Sequence, residues 1–271
     1  MKRTLATLVI GLSLALGATT SAWAQDFRKG WKAYANGDWA TALKEWRPLA
    51  EQGYASAQYN LGLLYDQGLG VVQDYKEAAK WYRLAAEQGQ PKAQFNLGNM
   101  LYDGKGVAQD SKEAVKWYRL AAEQGYADAQ LNLGVMYANG EGVAQDYKEA
   151  LKWYRLAAEQ GNATAQYNVG TLYGQGWGVV QDYKEALKWY RLAAEQGDAM
   201  AQYNVGTMYG QGVGVIQDNL MAHMWLNIGA SNGSTNAAKN RDIVAKRMTA
   251  ADISKAQQLA RDCVAREYKG C

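Results

Sequence analysis

Apolar and polar positions along the chain alternate with a helical period that is broken at regular glycines. Over residues 54–67 the small residues Ala57 and Gly62 share a stripe with Leu61, Leu64 and Tyr65, which predicts a helix able to approach a neighbour closely. Gly68-Leu69-Gly70 ends it. A second helix opens at Asp74, whose carboxylate can accept from the first unbonded amides, and Glu77 three residues on completes a capping box. At about 100° per residue, Trp81, Ala85, Ala78, Tyr82, Ala86 and Ala79 fall within roughly 160° of arc, while Arg83, Lys76, Glu87 and Lys80 crowd the opposite side. This helix is therefore amphipathic, with a buried face of aromatic rings and alanine. Gly89, after Glu87-Gln88, is its stop, at a position suited to left-handed backbone.

The same pattern returns along the chain. Trp81, Trp117, Trp153, Trp189 and Trp225 are each 36 residues apart, and Gly53, Gly89, Gly125, Gly161, Gly197 and Gly233 keep the same step. Five units tile residues 54–89, 90–125, 126–161, 162–197 and 198–233, with the cap pair repeated as Asp110/Glu113, Asp146/Glu149 and Asp182/Glu185. One hairpin cannot bury its own apolar face, but stacked neighbours can. The predicted fold is thus all-α, a right-handed α-solenoid of helix-hairpin repeats with N- and C-terminal capping helices. The ends depart from the repeat as capping demands. Residues 25–53 form a shorter hairpin with a tight turn at Asn36-Gly37-Asp38, and Trp46 falls one place beyond the Trp column, in line with Tyr82. Residues 234–271 hold two more helices, over 234–247 and 249–267, the latter opened by Thr249 with Asp252 three residues on. Ile243, Val244, Met248, Ile253, Leu259 and Val264 are expected to shield the last repeat.

The first residues read differently. Lys2 and Arg3, the apolar run from Leu5 to Leu16 and Ala22-Trp23-Ala24 follow the order of a secretory signal peptide over residues 1–24, cleaved before Gln25. The run is shorter than the roughly 20 residues of a membrane-spanning helix, so the mature chain is expected to be periplasmic or secreted, without membrane insertion. Cys263 and Cys271 then meet a compartment that favours disulfides. In an unbroken helix their Cα atoms would stand about 12 Å apart, beyond disulfide reach, so a bridge requires the helix to stop near Glu267 and Gly270 to help the chain turn back. The alternative is a frayed tail with two free thiols.

Charge and composition narrow the chemistry. The chain of 271 residues is 48% hydrophobic and 20% charged, a folded composition, and its net charge of +3 falls to about +1 without Lys2 and Arg3, too little for nucleic acid. One histidine and two cysteines supply neither a multi-histidine metal site nor a four-ligand zinc, so no metal or cofactor is expected. Gly68-Leu69-Gly70 lacks the preceding strand of a phosphate loop, and an acid follows it; it reads as a turn. His223 stands beside Met224 and Trp225 without Cys, Ser or acid at catalytic spacing, so it reads as a packed or surface histidine rather than a general base. The repeated glutamates are explained by capping and a solvated face, and the Trp stripe by core packing, so no catalytic residue is expected.

The five units vary mainly on one face of the first helix, which carries Tyr59, Phe95, Leu131, Tyr167 and Tyr203 in one row and Leu63, Asn99, Val135, Thr171 and Thr207 in another, with Tyr102 in place of Asp66. The unchanging Asn60 column bordering this face is expected to bond a neighbouring backbone. First helices of stacked hairpins line the concave side, so Tyr59, Phe95, Tyr102, Leu131, Tyr167 and Tyr203 are the candidate binding residues of a groove about 50–60 Å long, room for an extended segment of about 17 residues.

The pattern A-x-A-Q-Y-N-L-G-x-L-Y-x-x-G-x-G-V-x-x-D-Y-x-x-A-x-x-W-Y-x-x-A-A-E-Q-G, read from residues 55–89 and repeated, resembles the Sel-one-like repeat family, relatives of the tetratricopeptide repeats, over residues 54–233. The resemblance implies a scaffold for protein interaction, and exported bacterial members are linked to host contact, envelope assembly and signalling. A cysteine-rich subset has been described as binding or hydrolysing β-lactams. Residues 54–233 contain no cysteine, so that activity does not carry over. The expectation is a non-enzymatic scaffold of the envelope or a secreted one, binding a protein or peptide partner in the concave groove. A glycan- or peptidoglycan-binding module is the alternative, since aromatic rings stack on sugars, and a β-lactam-type hydrolase by distant family analogy is third.

Overall fold

The computed structural model describes residues 26–271; the signal peptide read at residues 1–24 and its cleavage point before Gln25 lie outside them. Among the described residues every regular element is a helix. They fall into two compact units that divide between Gln124 and Gly125. The first holds α1 (residues 26–35), α2 (Trp39–Glu51), α3 (Ala55–Gln67), α4 (Tyr75–Glu87), α5 (Pro91–Asp103) and α6 (Ser111–Glu123). The second holds α7 (Ala127–Asn139), α8 (Tyr147–Glu159), α9 (Ala163–Gln175), α10 (Tyr183–Ala194), α11 (Ala199–Gln211), α12 (Asn219–Ser231), α13 (Thr235–Ala245) and α14 (Ala250–Ala265). In each unit the helices pair as hairpins, and the second helix of one hairpin packs on the first helix of the next, as α4 does on α5 and α10 on α11.

One-residue chemistry sets the helix ends. Asp74 Oδ1 accepts from the amides of Lys76 and Glu77 at 2.9 and 3.1 Å, and Asp110, Asp146, Asp182 and Asp218 cap α6, α8, α10 and α12 in the same manner. The glutamate of the expected capping box turns along the helix instead of back to the cap. Glu77 meets Lys80 Nζ at 3.3 Å, and Glu113 meets the Arg83 guanidinium at 2.9 Å, because a nearby cation offers a charge-assisted partner that the cap amide does not. The turn is closed by the Asp74 amide on the Tyr65 carbonyl at 3.0 Å and by Gln73 Nε2 on the Asp66 carbonyl at 2.7 Å.

The two glycines of each Gly-x-Gly turn have separate tasks. Gly68 ends α3 at φ +69°, in left-handed backbone, and its amide reaches the Leu64 carbonyl. The second glycine sits under the preceding hairpin: a Cβ on Gly214 would stand 2.6 Å from the Tyr183 carbonyl oxygen, and one on Gly106 would collide with that of Tyr75.

Inside each hairpin a third glycine lies beneath an aromatic ring. A Cβ on Gly62 would stand 2.6 Å from the Tyr82 ring, on Gly98 2.7 Å from Tyr118, and on Gly170 2.7 Å from Tyr190. At the first end, Gly30 meets Trp46 in the same way, so Trp46 occupies the Tyr82 column. The tyrosine column is the better buried of the two aromatic columns: Tyr82 and Tyr118 are 0% and 2% exposed, while Trp81 and Trp117 are only half-buried. The tryptophans are core throughout only toward the second end, where Trp153, Trp189 and Trp225 are buried.

The C-terminal helices start and stop a residue or two inside the expected limits. α14 is opened by Thr249, whose Oγ1 accepts from the Asp252 amide at 3.2 Å. Val244 is buried, and Met248 and Leu259 pack on the apolar clusters, but Ile243 and Val264 are 49% and 47% exposed and shield nothing. Their helices meet the repeat through Ala237, Val244, Ala256, Ala260 and Cys263 instead, because small residues let the backbones close up.

Two glycines of α9 give opposite expectations for one substitution. Gly170→Ala forces a methyl into the Tyr190 ring and should destabilise the chain by about 1–3 kcal/mol. At Gly174 the nearest atom to an added Cβ is 3.7 Å away, so Gly174→Ala should stabilise by about 0.5–1 kcal/mol through helix propensity. Urea unfolding midpoints of the two variants should move in opposite directions from that of the parent.

Candidate functional site

The first-helix surface is positioned by what lies behind it, beginning with a tyrosine hydroxyl. Tyr82 is completely buried, and its hydroxyl donates to Asp66 Oδ2 at 3.2 Å. Tyr118 donates to Asn99 Oδ1 at 2.7 Å and Tyr190 to Thr171 Oγ1 at 3.2 Å. Burial, reinforced by the Asp66 charge, pushes the Tyr82 hydroxyl far above its ordinary pKa, so it remains a donor. In the Asn60 column, which was expected to bond a neighbouring backbone, Asn96 reaches a side chain, the Tyr82 hydroxyl of the preceding hairpin, and Asn204 reaches that of Tyr190. A desolvated phenol needs partners, and the asparagine of the next hairpin is in reach.

A glutamine lock, to which the sequence reading assigned no role, adds a second tie between hairpins. Gln94 Nε2 donates to the Ala86 carbonyl of the preceding hairpin at 3.1 Å, and its Oε1 accepts from Gln124 Nε2 at 2.8 Å. Gln58, Gln166 and Gln202 make the same pair of bonds, with Asn232 replacing glutamine as the donor to Gln202. All are at most 5% exposed. The available signal was a polar residue held constant on an apolar stripe.

On this support the candidate binding residues are half-buried. Tyr59, Phe95 and Tyr102 belong to the first unit, and Leu131, Tyr167 and Tyr203 to the second. The Tyr59 ring lies 5.9 Å from that of Tyr82, Phe95 5.9 Å from Tyr118, and Tyr167 5.6 Å from Tyr190. Leu131 packs on the apolar cluster of α8 and α9. Tyr203 is partly covered by α13, since Asn240 Nδ2 lies 3.5 Å from its hydroxyl and 3.3 Å from Thr207 Oγ1. The neighbouring row is not free to drift, because Asn99 and Thr171 serve tyrosine hydroxyls. Where Asn99 takes that task, position 102 no longer needs the acid that Asp66 supplies, and it carries Tyr102.

The tail is fastened. Cys263 and Cys271 are joined in a disulfide, their Cα atoms 5.7 Å apart, so there are no free thiols. Glu267 and Tyr268, at φ 53° and 65°, share with Gly270 the left-handed backbone that turns the chain back, and the helix ends at Ala265, ahead of Glu267. Tyr268 lies over Gly197 and reaches Asn232 at 3.1 Å. His223 is 2% exposed, and its Nδ1 has no hydrogen-bond partner. Burial and the nearby Arg241 cation hold its pKa below 6.5, against a smaller opposing pull from Asp242. Among the described residues no group of three or more His, Cys, Asp or Glu is placed to hold a metal ion, and no helix is long and apolar enough to cross a membrane.

Consecutive two-helix hairpins, tied within each unit by side chains on a fixed register, define the class of α-solenoid repeat proteins. The Sel1 repeat model matches residues 55–90, 91–126, 127–162, 163–198 and 199–234, and the chain belongs to that family. It is similar to the crystal structure of a protective antigen present in uropathogenic Escherichia coli strains, which displays the same repeat fold, with 36% identity and a TM-score of 0.82 over 94% of this chain. The match spans 56% of that protein, so the chain corresponds to little more than half its length. A Sel1 repeat protein from Oxalobacter formigenes is 37% identical, with a TM-score of 0.76, over 86% of this chain and 98% of its own. No curated protein matches the chain. Sel1 repeats commonly mediate protein–protein interaction.

The buried histidine makes a pH test. The folded chain holds the His223 proton less tightly than the unfolded chain does, so its contribution to stability is full above pH 6.5 and is lost as the pH falls below that value. The urea midpoint should fall between about pH 7 and 5, and His223→Gln should flatten that part of the profile.

Proposed function

We propose that the chain is a non-enzymatic protein-interaction scaffold of the cell envelope or a secreted one, which binds a partner polypeptide along the variable face of its first helices. The carrying observation is the row of half-buried rings. Tyr59, Phe95 and Tyr167 are each braced by a tyrosine of the second helix, so their exposed edges are held in place and lose little entropy on binding. The disulfide supports an oxidising compartment, as does the charged, apolar, small-residue order of residues 1–24. A protective antigen among the similar proteins agrees with export, since an antigen is met outside the cell. On this reading residues 1–24 are removed, residues 25–53 form the first cap, residues 54–233 the five repeats, and residues 234–271 the second cap and tail.

A glycan-binding module is the second reading, and one observation favours it. Trp177 is 45% exposed and stacked on Tyr147 with ring centroids 5.2 Å apart, the kind of flat surface on which sugars lie.

Affinity capture from native extract, with the partner identified by mass spectrometry, tests the first reading. The variant Tyr59→Ala/Tyr102→Ala/Tyr167→Ala should lose the partner while circular dichroism stays unchanged. Retention of the chain on washed, insoluble cell-wall material, abolished by Trp177→Ala, would establish the glycan reading in its place.

A further inference from the structure

The second helices present an outer face that the interaction row does not use. Lys76, Lys80, Arg83, Leu84 and Glu87 of α4 recur unchanged in α6, α8 and α10. The leucine is exposed in every copy, at 36% for Leu84, 44% for Leu120, 39% for Leu156 and 40% for Leu192. Solvated positions are free to vary, and the first helices of these same repeats do vary, so common descent of the repeats does not explain the constancy.

The face is also hollow. On α8 a depression of 490 Å³ is lined by Lys148, Leu151, Lys152, Arg155, Leu156 and Glu159. On α4 the corresponding residues line one of 310 Å³. Three cations and one acid line each depression; on α4 Arg83 is also held by Glu113 at 2.9 Å, while the pairs of Lys80 with Glu77 and Lys152 with Glu149, at 3.3 and 3.5 Å, are exposed and leave the lysines available.

The chain itself covers this face once. In α12 the positions of Lys80 and Leu84 are taken by Met224 and Ile228, which are 3% and 1% exposed. They share one apolar cluster with Ala260 and Cys263 of α14. Where the face is written in apolar residues, an amphipathic helix of this chain lies on it; where it keeps lysine and arginine around a leucine, no helix of either unit does.

We propose that the outer faces of α4 and α8 are seats for an amphipathic helix of a partner protein, one whose apolar ridge lies on Leu84 or Leu156 and whose flanks carry aspartate and glutamate toward the surrounding lysines and arginines. The apolar ridge supplies contact area and the acids supply register, as in other helix-in-groove recognition. This surface is separate from the first-helix row and stands whether or not that row binds a polypeptide.

The probe is a fluorescein-labelled peptide of about 18 residues, long enough to form a helix, with leucine at i, i+3 and i+7 spacing and glutamate on both flanks. Fluorescence anisotropy with the full chain should show saturable binding that weakens with added salt, no binding of a scrambled peptide, and binding about tenfold weaker when lysine replaces glutamate. Leu84→Ser/Leu120→Ser/Leu156→Ser/Leu192→Ser should weaken binding at least about tenfold with an unchanged melting temperature. Lys80→Glu/Lys152→Glu should shift the preference to the lysine peptide, which tests the site even if the leucine variant fails to fold. The first-helix tyrosine variant should bind the probe as the parent does. Absence of glutamate-peptide binding, equal binding of the scrambled peptide, or indifference to both sets of variants would overturn the proposal. So would a dimer in sedimentation velocity that the leucine variant abolishes, or binding only to phosphatidylglycerol vesicles, since these would give the face to a second copy or to a lipid surface.

Discussion

An aromatic ring resting where a Cβ would otherwise stand sets the geometry of each hairpin, and much of the remaining chemistry follows from it. With Gly62 under Tyr82, the two helices come closer than any other residue would permit, and the ring is fully buried. The buried ring carries a hydroxyl, which must be bonded or cost about 1–3 kcal/mol. Asp66, Asn99 and Thr171 meet that demand from within the hairpin, and Asn96 and Asn204 from the next one. Close packing inside one hairpin thereby becomes a specific link to its neighbour.

The second end shows the rule by its exception. Opposite Gly206 the ring is replaced by Leu226, which has no hydroxyl to satisfy. Thr207, in the column of Thr171, is then released from that task, and Asn240 of α13 bonds it at 3.3 Å. Loss of one phenol thus leaves a polar handle for the capping helix. The glutamine lock ends in a related way: Asn232 serves Gln202 and also meets Tyr268, so the last inter-hairpin bond is extended into the disulfide-fastened tail.

What could be read from the amino-acid sequence was whatever a single residue decides. Asp74 as a cap, Gly68 as a left-handed stop, the shift of Trp46 into the Tyr82 column and the turn residues near Gly270 depend on backbone preferences that a residue carries with it. What escaped depends on two hairpins at once. The constancy of Asn60 was visible, but a helical projection does not say that its column faces a phenol of the preceding hairpin. Gln58 looked merely constant because its two partners, Ala50 and Gln88, lie on different helices. Ile243 and Val264 were expected to shield the last repeat, yet the closeness of α13 and α14 is set by alanines and Cys263, which leaves these larger side chains on the outside. The candidate row was legible as a face, but not as a half-buried one, since the bracing rings belong to the partner helix of each hairpin.

The two helices of a repeat therefore work under different constraints. Variation on a first helix is coupled to the hydroxyl behind it in the second repeat, where Asn99 supplies the acceptor and Tyr102 replaces the acid; the third repeat, with Val135 and Ala138 before Tyr154, supplies an acceptor at neither position. Such coupled change lets a packed surface alter its chemistry without loosening the hairpin, which suits recognition of a partner by shape and aromatic contact. The outer face of a second helix has no hydroxyl to serve, and although Arg83 reaches Glu113 of the next hairpin at 2.9 Å, packing gives no reason to keep Lys80 and the exposed Leu84 in four successive copies. A constraint from outside the fold is then required to hold them. The charge and exposed leucine of that face are the properties such a constraint would act upon.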